Sequence, residues 1–423
     1  MSEDRLLEML QDRSLAEAEI QENPYPYYRA LHERPIFHDP KLGFYICSRY
    51  DLMRRILRDT RVFSNVGSQT MDFITAPPPE VAAIRRHMIR QVDTLVTNDP
   101  PAHTRCRQMV DNPFTPRKVR STMRAAIDEI VARTIESFIE DGECDFVKAF
   151  AEPVPLLVIA DQLGVPRADA PKFKQWSDAS VAPLGMMISP EEHIICTRQV
   201  KEMQDYFVEA LEARRHAPRD DLLSHLIHVR EEGLRPLGLE EMVSITQQLL
   251  VAGNETTTNA LAAGMQLLID RPEQQQKLRD DPSRIRIFVE ETLRMESPVQ
   301  GLFRVVTEDV ELDGVRIPAG ARIMLRFAAA NRDPSQYASA DALDVCRRNA
   351  GTHLAFGAGI HHCLGAALAR EEMHSAFEQI LARMTDLHFL ADRNDFRHYP
   401  NMLLRGLEHL WIGFSQAPDA AAE

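Results

Sequence analysis

A glycine-rich stretch near the C-terminal end of the chain holds a cysteine beside groups that could do chemistry. It reads HLAFGAGIHHCLGAALAR, from His353 to Arg370, and its second half favours a helix that begins at or just after Cys363. Gly357 and Gly359 allow a tight loop that side chains would obstruct. Because free N–H groups and the helix dipole stabilise a thiolate, Cys363 suits a nucleophile or a metal ligand. The alternative is a buried cysteine in a glycine-rich turn.

The spacing of these residues indicates which metal site they could form. His361, His362 and Cys363 are consecutive, and adjacent side chains diverge instead of converging on one tetrahedral zinc site. The longer pattern F-G-x-G-x-H-x-C-x-G closely resembles the haem-binding loop of the cytochrome P450 superfamily. The resemblance implies that the Cys363 thiolate is the fifth ligand of the iron of haem b, a ligation that favours O–O cleavage. It also implies cofactor contacts from four loop residues: Phe356, Gly357, His361 and Gly365.

Charged residues elsewhere in the chain match other motifs of this family. Glu291 and Arg294 in EETLR lie three positions apart, so they share one face of a helix and can form a pair. The resemblance implies that this pair joins Arg347, in ALDVCRRN, as a structural charge network behind the haem. For an isolated pair at this spacing, an ordinary exposed salt bridge would be the simpler interpretation.

A basic segment upstream is similar to the helix that contacts haem in the family. It reads NDPPAHTRCRQMVDNPFTPR and contains His103 and Arg107. The resemblance implies that both residues pair with the haem propionates, and that Arg304 and His361 fill two further propionate positions. Four donors facing two carboxylates make a chemically sensible set.

The stretch LLVAGNETTTNA lies within a periodic segment from about Leu239 to Asp270, which predicts one helix of roughly 45 Å. The Thr256 hydroxyl can bond back to the carbonyl of Ala252 and weaken the helix there. The resemblance implies that the helix opens into a groove beside the cofactor at Ala252. It also implies that Glu255 and Thr256 form an acid–alcohol pair that relays protons during oxygen activation. The alternative is that Thr256 caps a kink and Glu255 is a surface charge.

The substrate pocket follows from family position and is largely apolar. The resemblance places seven residues in it: Leu249, Ala252, Val299, Leu302, Met186, Met187 and Met402. The methionines could accommodate a bulky ligand or could simply fill an irregular core. The basic cluster of Arg85, Arg86, His87 and Arg90 could meet an anionic substrate group or could be a solvated helix face. We expect a terpenoid, steroid-like or aromatic substrate.

The elements that position these residues are mostly helical. Apolar residues recur at helical spacing from Thr122 to Glu140, a helix closed by Gly142, and SPEEH at Ser189 reads as a helix start. Alternating residues from Val310 to Phe327 predict a small β region. The predicted fold class is therefore mainly α with a small sheet, the cytochrome P450 fold. No repeat or linker divides the chain, so we expect one domain over 1–423, with flexible tails at about 1–20 and 416–423.

Composition narrows the class of protein. The chain has 423 residues and a formal net charge of −14, which disfavours binding to nucleic acid or an anionic membrane through the overall field. The sequence shows neither a basic leader followed by an apolar run nor a stretch of about 18 consecutive apolar residues. We therefore expect a cytoplasmic protein without a membrane anchor. We also expect a monomer. Six scattered cysteines without CxxC spacing predict free thiols.

The resemblance extends from Tyr50 to Phe414 and implies a monooxygenase that inserts one oxygen atom from O2 into a hydrophobic molecule. No electron-transfer segment is fused to the chain, so electrons are expected from an iron–sulfur ferredoxin and an NAD(P)H-dependent reductase. We expect the ferredoxin to dock on a basic patch near the cysteine: Arg105, Arg117, Lys118, Arg120, Arg348 and Arg370. Two alternatives are a peroxide-driven enzyme and a non-catalytic ligand-binding protein, both disfavoured by the Glu255–Thr256 pair.

Overall fold

The computed structural model describes residues 3–69, 76–185 and 187–418. The helices are α1 (Glu3–Asp12), α2 (Ala18–Glu22), α3 (Tyr25–Glu33), α4 (Tyr50–Ile56), α5 (Pro79–Arg85), α6 (Ala102–Val110), α7 (Pro116–Lys118), α8 (Arg124–Glu136), α9 (Pro153–Leu163), α10 (Ala170–Val181), α11 (Pro190–His216), α12 (Leu222–His228), α13 (Leu239–Asp270), α14 (Pro272–Asp280), α15 (Ile285–Glu296), α16 (Phe327–Ala330) and α17 (Ala366–Arg383). The strands are β1 (Ile36–Asp39), β2 (Phe44–Cys47), β3 (Phe63–Ser64), β4 (Glu143–Asp145), β5 (Leu302–Val306), β6 (Val310–Leu312), β7 (Val315–Ile317), β8 (Arg322–Leu325), β9 (Met384–Phe389) and β10 (Trp411–Gln416). The predicted fold class, mainly α with small sheets, is confirmed.

Local capping explains where the two long helices begin. The Ser189 hydroxyl accepts the N–H of Glu192 at 3.2 Å, and the Glu192 carboxylate accepts the N–H of Ser189 at 2.7 Å, so the predicted start of α11 is confirmed. At the start of α13 the Glu241 carboxylate accepts the N–H of Gly238 at 2.9 Å. The predicted span of α13, Leu239–Asp270, matches the observed helix.

Helix α13 lies at the centre of the main hydrophobic core. It packs against α9, α10, α15 and α17, and its buried side chains lie between Met242 and Leu268. A five-stranded sheet with the order β1-β2-β8-β5-β3 lies beside the N-terminal helices. Strand β5 pairs antiparallel with β8, which places Arg304 opposite Ile323. The β region predicted over 310–327 is confirmed as β6, β7 and β8.

Much of the segment predicted as an N-terminal tail, residues 1–20, is packed in the structure, and its flexibility stays a prediction. Leu6, Leu10 and Leu15 are buried in a core cluster with residues of α3 and of the loop around Leu403. The amphipathic pattern of α1 therefore reflects packing against α3. At the other end, Gln416 closes β10, and residues 419–423 lie outside the described residues. The single-domain organisation stays a prediction.

Three charged residues form a buried network between α15 and the segment that precedes the cysteine loop. Arg294 donates to Glu291 through two bonds of 2.6 and 3.0 Å, and Arg347 Nε donates to Glu291 Oε2 at 3.0 Å. Neither Glu291 nor Arg294 is exposed to solvent. Arg294 also donates to the carbonyls of Asn331 and Ala340. The network thus ties α15 to residues 331–347, with the one carboxylate of Glu291 shared by two arginines.

Among the described residues, no helix combines the length and the apolar composition that a bilayer crossing requires.

Replacing Glu291 with alanine should leave two arginines without their carboxylate. Breaking a buried pair in this way costs about 3–5 kcal/mol, so Glu291→Ala should lower the free energy of unfolding by that amount in urea titrations followed by circular dichroism. Glu129→Ala, which breaks the exposed pair with Arg133, is the matched control and should cost less than about 1 kcal/mol. Equal losses in the two variants would contradict a buried, stabilising network.

Candidate cofactor site and active site

The cysteine loop is held by its own backbone and by a close approach to α4. The Cys363 N–H donates to the Phe356 carbonyl at 2.9 Å, and α17 begins at Ala366, so Cys363 lies just before a helix as predicted. Gly357 and Gly359 have φ values of +66° and +73°. A Cβ at Gly359 would lie 2.5 Å from the Leu57 carbonyl oxygen. Glycine is therefore required at 359 both for its backbone conformation and for space.

A second, partly buried ion network anchors the loop to α15, and no local sequence pattern predicts it. Arg370 donates to both oxygens of Glu290 at 2.6 and 2.9 Å, and His353 Nε2 lies 3.1 Å from the same carboxylate. Burial raises the pKa of Glu290, but His353 and Arg370 outweigh it and hold that pKa down to about 2. The Arg370 guanidinium also lies 4.5 Å from the centre of the Phe356 ring. The Glu290 carboxylate thus holds both the start of α17 and the segment that leads into the loop.

The Cys363 thiol meets opposing influences on its pKa. Burial raises the pKa and is the larger effect. The backbone N–H groups of Gly365 and Ala366 lower it, as do Arg107 and Arg370. The helix-terminus stabilisation expected from the sequence is present, but the apolar surroundings outweigh it. A cationic metal bound to the sulfur is the group that would favour a thiolate in such surroundings.

Three nitrogen donors lie together beside the loop with few partners of their own. The rings of His103 and His361 are 4.1 Å apart, and neither nitrogen of His103 has a hydrogen-bond partner among the described residues. His361 Nδ1 lies 3.3 Å from the Leu95 carbonyl, while its Nε2 has no hydrogen-bond partner among the described residues and lies 3.9 Å from the Asp99 carboxylate. Arg304 is 3% exposed, and its guanidinium donates to the Phe303 carbonyl at 2.7 Å.

Burial is the main cause of the shifted pKa values of Arg304 and His361 in this donor group. It lowers the pKa of Arg304 to about 10, although Asp99 acts in the opposite direction. Burial, followed by the neighbouring His103 and Arg304, lowers the pKa of His361 to about 3. A buried arginine without an ion-pair partner is costly unless an anion is supplied. The group therefore fits a bound molecule that carries carboxylates, such as the two propionates of haem.

Arg107 differs from this donor group because it has strong partners of its own. Its guanidinium donates to Asp111 at 2.6 Å and to the carbonyl of His362 at 2.9 Å, so it is bound to the cysteine loop. It still lies close enough to His103 to contribute to the lowered pKa of that imidazole, after the larger effect of burial. The structure thus brings His103, His361 and Arg304 together and gives Arg107 partners on the cysteine side.

Helix α13 passes Ala252 and Thr256 without interruption. The Thr256 hydroxyl donates to the Ala252 carbonyl at 2.7 Å, which is the back-bond expected from the sequence. The groove that the resemblance implies is not open here, because the hydroxyl adds to the helical hydrogen bonding and does not displace it. Ala252 is exposed and Thr256 is partly exposed, in contrast to the buried Thr257 and Thr258 that follow.

Glu255 points away from Thr256 into a polar contact with α10. Its Oε1 accepts from Lys174 at 3.3 Å, Ser177 at 3.4 Å and Asn254 at 3.0 Å. Lys174 also bonds to Asp178, whose side chain is half exposed. Burial raises the pKa of Glu255 to about 7, while Lys174 acts to lower it. Glu255 is therefore a buried acid that changes charge near neutral pH and is connected to the surface, not a surface charge.

The residues expected to line the substrate pocket divide into two groups. Ala252 is exposed, and Met187, Val299 and Leu302 are partly buried. Leu249 and Met402 are 7% and 1% exposed and belong to hydrophobic core clusters. Met402 packs with Leu403 against the N-terminal helices, and its place in the pocket stays a prediction. Met186 lies outside the described residues.

Of the basic residues predicted near the cysteine, only some lack an ion pair with another described residue. Arg105 pairs with Glu241, Arg370 with Glu290, and Arg120 with Glu371 at 3.1 Å. The side chains of Arg117, Lys118 and Arg348 are exposed and make no ion pair with another described residue.

The sequence analysis missed Arg58, which is exposed directly after α4. Its Cα lies 3.7 Å from the place of a Gly359 Cβ, beside the 42% exposed Ile360. The basic run RRILRDTR, which contains Arg58, was the signal that could have found it.

Comparisons with known proteins agree with this geometry. The family model described as Cytochrome P450 matches residues 187–389. Cytochrome P450 130 of Mycobacterium tuberculosis is 36% identical over 396 residues, covering 91% of this chain and 94% of that protein. The steroid C26-monooxygenase of the same species is 34% identical, covering 93% and 94%. The solved structure of the bacillaene polyketide synthase cytochrome P450 PksS of Bacillus subtilis 168 superposes with a TM-score of 0.84 at 31% identity, covering 95% and 100%.

The surroundings of Glu255 predict its titration. The infrared band of a protonated carboxyl, identified by its absence in Glu255→Gln, should disappear as the pH rises through about 7. Lys174→Met removes the cation that lowers this pKa, so it should move the midpoint upward. Lys172→Met, on the exposed side of the same helix, should leave it unchanged. A midpoint near the ordinary glutamate pKa of about 4.3 would contradict the buried environment.

Proposed function

The chain belongs to the cytochrome P450 family of haem-binding monooxygenases, and on that premise we propose that it inserts one oxygen atom from O2 into a C–H bond of a hydrophobic small molecule. The observation that carries the proposal is the position of Glu255. It is a buried acid that titrates near neutral pH and precedes Thr256 in a helix that also carries the exposed Ala252. A protein that only binds a ligand gains nothing from burying an acid there. The pair of Glu255 and Thr256 also argues against a peroxide-driven enzyme.

Haem b, when bound, supplies the redox-active iron on which oxygen activation depends. In the proposed arrangement the Cys363 sulfur coordinates that iron, and His103, His361 and Arg304 hold the propionates. The support is that these three side chains are buried and lack strong partners of their own. Arg107, bound to the His362 carbonyl, would complete the propionate contacts only by leaving Asp111.

The proposed role of Glu255 is to carry protons from solvent to the oxygen side of the site. Lys174, Ser177 and Asp178 lie on its outer side, and Thr256 is the next residue on α13. A carboxyl with a pKa of about 7 is well matched to proton transfer at neutral pH. In this proposal the Thr256 hydroxyl passes the proton on, for which it must exchange its bond to Ala252.

The proposed substrate class is bulky and hydrophobic: a terpenoid, a steroid-like or an aromatic compound. The support is the apolar composition of the residues expected around Ala252, namely Met187, Val299 and Leu302. Among the relatives, one is named for steroid C26 oxidation and another for polyketide biosynthesis, and both names point to large carbon frameworks.

The proposed electron source is an iron–sulfur ferredoxin with an NAD(P)H-dependent reductase, acting on a cytoplasmic monomer. The supporting feature is a set of exposed, unpaired basic residues on the cysteine side: Arg58, Arg117, Lys118 and Arg348. Arg58 lies beside the exposed Ile360, so a partner bound there would meet both charge and an apolar contact close to the proposed iron ligand.

The proposal as a whole is tested by O2-dependent turnover. Candidate substrates are first screened by the spin-state shift of the ferric protein, and those that bind are incubated with a ferredoxin, its reductase and NADPH under labelled O2. One labelled oxygen atom in the product is the expected result. A protein that binds ligands yet forms no product with any electron source would be a binder, and turnover with hydrogen peroxide alone would favour the peroxide-driven alternative.

Loss of the Thr256 hydroxyl should affect coupling more than binding. Thr256→Ala should retain haem and bind substrate, while product formed per NADPH falls roughly tenfold or more and reducing equivalents go to hydrogen peroxide or water. Thr256→Ser keeps a hydroxyl and should restore coupling, and Thr257→Ala tests a neighbouring buried threonine. Unchanged coupling in Thr256→Ala would remove the proton-relay role.

Charge reversal on the cysteine side should slow the first electron transfer. Arg58→Glu or Lys118→Glu should each lower the second-order rate of reduction by an acidic ferredoxin by roughly fivefold, the effect of one pair worth about 1 kcal/mol. Added salt should shrink the difference, since salt screens charges over about 8–10 Å. Lys201→Glu, on α11, is the control and should change nothing. Rates indifferent to both salt and substitution would rule out this docking surface.

A further inference from the structure

The segment of residues 89–98 contacts both α13 and the donor group beside Cys363. It contains neither helix nor strand, and among the described residues none of its N–H or carbonyl groups bonds to another backbone group. Thr94 and Leu95 are nevertheless buried, at 0% and 7% exposed. Because buried backbone polar groups need partners, side chains must hold this segment in place.

Two side chains of α13 hold the middle of the segment. The Gln248 amide donates from Nε2 to the Thr94 hydroxyl at 2.7 Å, and its Oε1 accepts the N–H of Val96 at 3.3 Å. One helical turn earlier, the Ser244 hydroxyl accepts the N–H of Val92 at 3.2 Å. Gln248 thus uses both ends of its amide, and it uses them on the two residues that flank Leu95.

The residue between those two bonds is the one that contacts the donor group. The Leu95 carbonyl lies 3.3 Å from His361 Nδ1, and the other ring nitrogen of His361 has no hydrogen-bond partner among the described residues. A contact at one nitrogen of an imidazole orients the ring and so decides where the other nitrogen points. The Leu95 carbonyl therefore orients His361 Nε2, and Gln248 fixes the place of that carbonyl.

A second support reaches the segment from the opposite side. The Asn65 side chain, directly after β3, donates to the Val96 carbonyl at 2.8 Å, and the Asn65 N–H donates to the Asp99 carboxylate at 3.0 Å. These bonds hold the end of the segment that leads into α6. Loss of the Gln248 amide should therefore loosen the part around Leu95 without releasing the whole segment.

We propose that Gln248 is a positioning residue for the cofactor, because its amide holds Leu95 where the carbonyl directs His361 Nε2 toward a haem propionate. The proposal rests on haem binding by the donor group, which the proposed function requires, and it adds a residue of α13 to that site. Gln248 shares one face of α13 with Ala252, four residues later. One face of this helix thus carries both the residue expected beside the cofactor and the side chain that orients a propionate contact.

The first test is amide hydrogen exchange of the haem-loaded full chain, read by mass spectrometry over residues 89–98. Gln248→Leu should raise the exchange rate of this segment roughly fivefold, the effect of losing about one net hydrogen bond. Thr94→Val removes one of the two bonds and should raise the rate less. Gln247→Leu is the matched control, because Gln247 Oε1 has no hydrogen-bond partner among the described residues. Exchange in Gln248→Leu equal to that of the wild type would overturn the proposal.

The second test is the rate of haem transfer to excess apomyoglobin, which measures cofactor retention without turnover. Gln248→Leu should raise this rate roughly fivefold. Gln248→Glu keeps an acceptor for the Val96 N–H and can accept from the Thr94 hydroxyl, so it should restore most of the retention. In a His361→Leu background, Gln248→Leu should add little, because a residue that acts through another has no further effect once that other is removed. Full additivity of the two substitutions, or faster exchange with unchanged haem transfer, would overturn the proposal.

These results are independent of the reaction that the enzyme performs. Amide exchange and haem transfer are both measured without substrate, electron donor or O2. A chain that retains haem and forms no O2-dependent product would therefore contradict the proposed function alone, whereas the role of Gln248 is decided by the two tests above.

Discussion

The burial of Arg304, His103 and His361 without strong partners is the constraint on which the rest of the site depends. A folded protein keeps a desolvated guanidinium and unpaired imidazoles only where another group compensates them. Strand β5 holds Arg304, α6 holds His103 and the cysteine loop holds His361, so three parts of the chain converge on one place. The carboxylates of a bound haem would satisfy this convergence, and His361 places the cysteine loop, with Cys363, beside the other two donors. The ion network of Glu290, His353 and Arg370 fixes the loop against α15.

The opposite side of the site contains another buried titratable group. Glu255 lies in the wall between α10 and α13, where burial keeps its carboxyl protonated up to about neutral pH. Lys174 limits that effect and connects the acid to exposed Asp178. Thr256 lies one residue further on a helix that remains regular. In the proposed relay this helix carries both the buried acid and the Thr256 hydroxyl, and the contact of the acid with Lys174, which also bonds to Asp178, leads toward the surface.

How much the sequence predicts depends on whether a feature is local. The cysteine loop, the start of α11 at Ser189 and the full extent of α13 follow from glycine spacing, capping residues and periodicity, and the structure matches them. The partners of Glu255 and Arg370 come from helices distant in sequence, so no local pattern identifies Lys174 or Glu290. Apolar residue type does not distinguish a core from a cavity wall, so the sequence does not predict that Met402 belongs to a core cluster. The folded α1 was missed because its core partners come from α3 and the loop around Leu403.

The central claim is that haem is bound through the Cys363 sulfur in the site formed by the loop and the three donors. The most direct measurement is the carbon monoxide difference spectrum of the reduced protein, recorded for the wild type, Cys363→Ser and Cys106→Ser. The account predicts the long-wavelength Soret band of thiolate ligation in the wild type and in Cys106→Ser, whose cysteine is buried elsewhere in the core, and its loss in Cys363→Ser. Retention of that band in Cys363→Ser, or its loss in Cys106→Ser alone, would contradict the account.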